Sequence, residues 1–328
     1  MTELPLPGVI TLNRLIAPIQ AALDTPGTRE VVVNKPGEFG VENGDGWTWH
    51  EEPRLTFEML EAASRYAARL TGQDVHSRNP SCSSRLPGGQ RITIVMPPAY
   101  PQGRISWTIR KRAQDFVPTL DWLEEHGWFR FLPKRGAKAR PWRKWFQHQI
   151  EAGSSIALTG VTGSSKTTAA EAMIRAKPLE QRIITLESVP EWEGLPHRNW
   201  VPIVYAQKAG TGLPTAEEAL EMTLRQRPDC ILFGEVRTGE AWGLIRVMMS
   251  GARGTIMTAH ANPGMDGLVN AVYLMVRQNA HANGVDEATV KKLIRENVDI
   301  VVHCQRVDQN NQGVPYRAHS VEIMREVK

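Results

Sequence analysis

Long apolar runs are missing from this chain of 328 residues. No stretch approaches the ~18 uncharged apolar residues that a membrane helix needs. No secretory signal is visible either: MTELPLPG carries Glu3, with neither a basic start nor an apolar core, so the protein is expected in the cytoplasm. Cysteine is scarce. Cys82, Cys230 and Cys304 are odd in number and far apart, which excludes a disulfide framework and a CxxC metal pair; they are expected to be reduced and structural. No internal repeat is present. With 41% hydrophobic and 23% charged residues, 27 Gly and 22 Pro, disordered, collagen-like and coiled-coil chains are excluded as well. What remains is globular, and a prior of ~150 residues per domain suggests two domains.

The net charge of +4 is unevenly spread. Residues 1–150 carry 20 Lys and Arg against 15 Asp and Glu, whereas residues 151–328 carry 19 against 20. Six bases (Lys134, Arg135, Lys138, Arg140, Arg143 and Lys144) fall in KRGAKARPWRKW with no acid among them, beside Trp142 and Trp145. The plainer reading is a solvated interdomain linker. The sharper one is contact with an anionic membrane surface through 134–145, with the indoles at the interface.

The first ~115 residues mix strand and helix signals. REVVVN ends at a turn former, FGVENGDGWTWH alternates about Asn43-Gly44-Asp45-Gly46, and LTFEMLEAASRYAARLTG has helical spacing up to Gly72. RLPGGQRITIVMPP and GRISWTIRK read as strands, and PTLDWLEEHGWF as a short helix. From Ser155 short apolar runs (SIALTG, RIITLE, CILFGE, GTIMTAH, DIVVHCQ) alternate with helical segments, one opened by a capping box of Thr215 and Glu218. The expected fold is α/β: an α+β domain over 1–133, a basic linker over 134–150, and a domain over 151–328 built on a mostly parallel sheet with both faces covered.

Ligands of such sheets bind beyond the carboxyl ends of the strands. SIALTG runs into GVTGSSKTT, residues 160–168, which opens a helix. Gly160 and Gly163 let amides of Thr162, Ser164, Ser165 and Thr168 turn around a phosphate. Lys166 offers an ammonium and Thr167 a hydroxyl for Mg²⁺. Ser165 stands where the P-loop pattern has glycine. Further strand ends deliver Glu187, Glu235, Thr258 and His260. Singly, each is more often a solvated terminus. Together they set two carboxylates and an imidazole at the edge where a triphosphate and its metal belong.

The order GVTGSSKTT, TLESVPEW, LRQRPDCILFGEVRTGEA, GARGTIMTAHAN resembles the Walker A, Asp box, Walker B and His box of the secretion ATPases. VNKPGEFGVENGDGW, RLPGGQRITIVMPP, ISWTIRK and PTLDWLEEHGWF are similar to the amino-terminal domain of type IV secretion traffic ATPases, the VirB-eleven family. The resemblance implies a RecA-like P-loop domain and a homohexamer at the cytoplasmic face of a bacterial inner membrane. It also implies ATP and Mg²⁺ as ligands, and two further ATPases and inner-membrane components of the apparatus as partners. Carried over by motif, Lys166 and Thr167 bind phosphate and Mg²⁺, Glu187 activates water, Glu235 supports the metal and His260 senses the γ-phosphate. Arg91 and Arg110, on matching strands of the first domain, reach the terminal phosphates. Against the family pattern, Ser188 follows Glu187 where an aspartate is usual.

Two alternatives stand beside this expectation. One is an ATP-binding scaffold of the same apparatus with little turnover. The other is a twitching-motility or type II secretion ATPase, the latter usually carrying a tetracysteine zinc insert that three scattered cysteines cannot supply. No sequence-specific contact with nucleic acid is expected, since the basic tract belongs to no recognised module.

Overall fold

The computed structural model describes residues 7–43, 46–111, 117–133, 139–188, 190, 192, 194–206, 213–236, 240–249, 251, 253–279, 282, 284–306 and 316–326. The chain divides into two compact units, residues 1–116 with 208–213, and residues 117–207 with 214–328.

In the first unit, helices α1 (Pro7–Asp24) and α2 (Phe57–Leu70) accompany strands β1 (Glu30–Val33), β2 (Glu38–Glu42), β3 (Trp47–Glu51), β4 (Ser81–Arg85), β5 (Arg91–Val95) and β6 (Ser106–Arg110). The sheet runs β3-β2-β1-β6-β5-β4, and every pairing in it is antiparallel. Leu12, Ile16, Ile19 and Leu23 put the buried stripe of α1 at helical spacing, and Val31, Val33, Ile92, Ile94, Trp107 and Ile109 meet it from alternate strand positions. The Trp107 indole is satisfied within this core: Nε1 donates to Ser64 Oγ at 2.8 Å, and that hydroxyl donates to Leu60 O at 2.7 Å. Helix α2 opens on Thr56, whose side chain accepts from Met59 N, and stops at Gly72 with φ +67°.

The opposite face of this sheet carries its charge. Register pairs Arg85 with Arg91, Arg91 with Arg110, Arg110 with Glu30, Glu30 with Glu42, and Glu42 with Trp47. Directly opposed residues share a face, so these six form one row across all six strands.

The second unit holds α3 (Leu120–Glu125), α4 (Trp142–Glu151), α5 (Lys166–Arg175), α6 (Ala216–Leu224), α7 (Glu240–Met249), α8 (Gly264–Val276) and α9 (Glu287–Asn297). Its strands are β7 (Ile156–Thr159), β8 (Ile183–Glu187), β9 (Trp200–Val204), β10 (Cys230–Val236), β11 (Ile256–Ala259), β12 (Ile300–Arg306) and β13 (Tyr316–Ile323). The order is β13-β12-β7-β11-β10-β8-β9. All neighbours are parallel except β13, which closes one edge antiparallel to β12. Strand β7 is buried on both faces: Ile156 and Leu158 belong to the core cluster that includes residues of α3, α4 and α5, while Ala157 belongs to the one that includes residues of α6 to α9. This is the expected mostly parallel sheet, and the Thr215–Glu218 capping box is present at α6.

The expected joint at 134–150 differs from the division of the structure. Leu120, Leu123, Trp128, Phe129, Leu132, Trp142, Trp145, Phe146 and Ile150 belong to the same core cluster as β7 and α5, because helix α4 turns one apolar side onto the sheet. The membrane reading of the indoles is corrected for the same reason. Trp142 and Trp145 are 7% and 8% exposed, and their Nε1 atoms donate to Pro133 O and to the Glu326 carboxylate. Two of the tract's bases are tied down: Arg143 pairs with Asp121 at 2.8 Å, and Arg140 pairs with Glu326 at 3.3 Å and lies over the Trp145 ring. Lys134, Arg135 and Lys138 fall outside the described residues, as do Gly44 and Asp45 of the expected turn.

Candidate nucleotide site

Strand β7 ends at Thr159 and α5 begins at Lys166, so residues 160–165 make the turn between a buried strand and a helix amino terminus. Three backbones in it have positive φ: Gly160 at +140°, Gly163 at +73° and Ser165 at +65°. At Gly160 glycine is required twice over, since a Cβ there would overlap the Cys304 carbonyl oxygen and come within 2.8 Å of Ser164 Oγ. At Gly163 only the backbone angle requires it; the space is open.

Ser165 adopts the left-handed conformation, φ +65° and ψ +23°, that a glycine would take without strain. Its Oγ is buried and, among the described residues, has no hydrogen-bond partner. A buried hydroxyl without a partner is costly, and one at the mouth of a helix amino terminus suits an anion such as a phosphate oxygen. Lys166 is 7% exposed; its Nζ donates to Gly160 O at 2.9 Å and to Val161 O at 2.8 Å. The ammonium is thus folded into the loop that turns around it. Ser164 Oγ donates to Val161 O at 2.8 Å, which braces the same turn. Thr162 is exposed, whereas Thr167 and Thr168 sit half-buried on the first turn of α5. A phosphate and its Mg²⁺ fit this cradle: main-chain donors, an ammonium, an orphaned hydroxyl, and Thr167 beside them.

Glu187 ends β8 and is 4% exposed. Its Oε1 accepts from Trp192 N at 3.2 Å. Gly234 lies beside it: a Cβ there would sit in ordinary contact with Glu187 Cγ, at 3.4 Å. Strand β10 breaks register with β11 between Phe233 and Val236. The bulge turns Glu235 toward the next strand end, where its Oε1 lies 2.6 Å from His260 Nε2. Thr258, 1% exposed, donates to Gly234 O at 2.5 Å and pins the bulge. Since β11 lies between β7 and β10, the loop, the Glu235–His260 pair and Glu187 follow one another along one edge of the sheet. Arg91 and Arg110 lie side by side on β5 and β6 of the first unit.

The sequence marks DIVVHCQ as a strand, but not that its His303 stands beside the loop. His303 stands in register with Thr159, and its Nδ1 lies 3.0 Å from Thr159 Oγ1. The next carbonyl, that of Cys304, abuts Gly160. Burial, with His319 and Lys166 nearby, holds the His303 imidazole below its usual pKa; burial pushes the Cys304 thiol up to about 12. The signal was present in DIVVHCQ, whose polar residue falls where the neighbouring strand hands over to the loop, but only the strand order reveals that adjacency.

The chain is similar to known proteins over most of its length. The family profile "Type II/IV secretion system protein" matches residues 53–326. The type IV secretion system protein VirB11 of Brucella suis biovar 1 is 34% identical over 89% of this chain and 85% of its own length. The VirB11 of Agrobacterium fabrum is 32% identical over 94% and 90%. Among solved structures, the VirB11 ATPase from the Brucella suis type IV secretion system, in complex with sulphate, is 31% identical with a TM-score of 0.50 over 96% of this chain and 95% of that one. The Legionella pneumophila ATPase DotB shares the fold at 15% identity, with a TM-score of 0.64 over 93% and 79%.

Proposed function

The chain belongs to the Type II/IV secretion system protein family and is an ATPase of a type IV secretion system; from that premise we propose that it binds ATP with Mg²⁺ in residues 160–168 and hydrolyses it there. Backbone N–H groups of the loop and the Lys166 ammonium bind the phosphates, and Thr167 with Glu235 holds the metal shell. Bound Mg²⁺ supplies positive charge against the β- and γ-phosphates. Glu187 orients and deprotonates the attacking water, and His260, held by Glu235, reads the γ-phosphate. Arg91 and Arg110 contribute charge to the terminal phosphates, as an arginine supplied on closure does.

The observation that carries this reading is the conjunction of two features on neighbouring strands: Lys166 wrapped by a glycine-turned loop, and the Glu235–His260 pair at 2.6 Å. Phosphate release by the purified protein tests it. Lys166→Ala is expected to lower turnover by ~100-fold or more, and wild-type turnover in that variant would remove the assignment. Ser165 favours a second reading, an ATP-binding scaffold with slow turnover, because its Cβ narrows the approach that glycine would leave open. ATP-dependent thermal stabilisation without phosphate release would establish that reading instead.

The working assembly we infer is a homohexamer acting with the other ATPases and inner-membrane components of the apparatus, bound peripherally at the cytoplasmic face. Among the described residues no helix is long and apolar enough to cross a membrane. Light scattering with and without ATP and Mg²⁺ tests the stoichiometry; a monomer under both conditions would exclude it.

A further inference from the structure

Strand β3 is an edge of the first unit's sheet, and all five of its residues are exposed. Its free main-chain donors and acceptors form a template for another strand. Trp47 and Trp49 stand 48% and 49% exposed, with rings stacked at 6.5 Å and 27°. The pair is a built platform. Beneath it lies Gly40 of β2, where a Cβ would come within 3.3 Å of both indoles, so glycine allows them to lie down on the sheet. On the opposite face His50 stacks on Phe39 at 5.0 Å, which anchors the strand.

The platform sits among acids. The described residues between 36 and 53 include Glu38, Glu42, Glu51 and Glu52 and no lysine or arginine. Glu42 stands opposite Trp47, and Glu38 opposite Glu51, so three carboxylates share the face of the indoles. Lys35 approaches Glu38 at 3.4 Å, Arg29 approaches Glu42 at 4.0 Å, and Arg54 holds Glu52. Like charges directly opposed across a ladder repel, and a cation laid between Glu38 and Glu51 relieves that repulsion. Indole faces add cation–π attraction. The same carboxylates repel a nucleic-acid backbone.

We propose that this hairpin binds an extended lysine- and arginine-rich segment of a partner protein, which adds a strand to β3 and lays its cationic side chains over Trp47 and Trp49.

The test is fluorescence anisotropy of the labelled heptapeptide KRGAKAR binding to the full chain, with a peptide carrying glutamate at each basic position as control. The basic peptide is expected to bind, with affinity falling ~10-fold or more in Trp47→Ser/Trp49→Ser, a similar amount in Glu42→Lys/Glu51→Lys, and steeply between low and high salt. Glu42→Lys/Glu51→Lys retains both indoles, so it decides the matter if the tryptophan variant melts early. Absence of binding to the wild type, equal binding of the control peptide, or wild-type affinity in Glu42→Lys/Glu51→Lys would overturn the proposal. So would loss of self-association in the tryptophan variant that the peptide cannot reproduce by competition, since the platform would then belong to contacts between copies.

Discussion

Glu235 and His260 end adjacent parallel strands, and a bulge in the first brings carboxylate and imidazole to 2.6 Å. Neither group faces solvent alone: side-chain exposure is 22% for the acid and 40% for the imidazole. Two residues joined in this way act as a unit. Glu235→Gln and His260→Ala are each expected to lower turnover by ~10²-fold, and the double variant by little more than the worse single one. Full additivity in a double-mutant cycle of phosphate release would show that the two work separately.

The left-handed backbone at Ser165 leads to a second expectation. Ser165→Gly removes the cost of a Cβ at positive φ, about 1 kcal/mol, together with a buried hydroxyl that has no partner among the described residues. Without nucleotide the variant's melting midpoint should rise by ~2–4 °C. If the hydroxyl donates to a phosphate, the further rise on adding ATP should shrink. Scanning calorimetry in both conditions reads the two effects, and an unchanged midpoint without ATP would contradict the strain argument.

Gly160 and Gly163 differ in what surrounds them, although both have positive φ. Gly160→Ala drives a methyl group into the Cys304 carbonyl and should abolish nucleotide binding. Gly163→Ala meets open space and should cost only ~1 kcal/mol of backbone strain, with binding retained. Titration with a fluorescent ATP analogue separates the two, and equal losses would refute the distinction.

Acid should weaken the fold through two histidines. Burial holds both His303 and His197 below the usual 6.5. A base whose folded pKa is depressed takes up its proton more readily in the unfolded chain, so its stability contribution is present above 6.5 and is lost as pH falls below it. Urea midpoints measured from pH 7.5 to 5 should fall, and His303→Gln should flatten the decline. A midpoint constant over that range would exclude the effect.

Strand ends were the most legible part of this molecule. SIALTG, RIITLE, CILFGE and GTIMTAH are apolar because a parallel strand is covered on both faces, so the polar residue after each run marks an edge position. Strand β4, SCSSR, had no such signal. Its inward positions are Cys82 and Ser84, and Ser84 is held by a hydrogen bond to Ala67 O rather than by apolar contact. Helix α1 carries a good apolar stripe but also Pro18, which speaks against a helix interior. The Thr159–His303 contact joins residues 144 apart, and only strand order brings them together. The tryptophans beside the basic tract misled for a different reason: charge density is visible in a string of letters, whereas the inward turn of α4 depends on what the helix packs against.

The way residues 117–150 are knitted into the second unit bears on where this protein can be cut. A fragment starting at 151 would have Ile156, Leu158, Ala169 and Met173, all at 1% exposure or less in the intact chain, stripped of their cover from Leu123, Trp128, Phe146 and Ile150. Such a fragment keeps every residue of the phosphate loop and loses one wall of the core beneath it. Shuffling of motors between amino-terminal partners should therefore keep residues 117–150 with the motor, with the crossover upstream of residue 117.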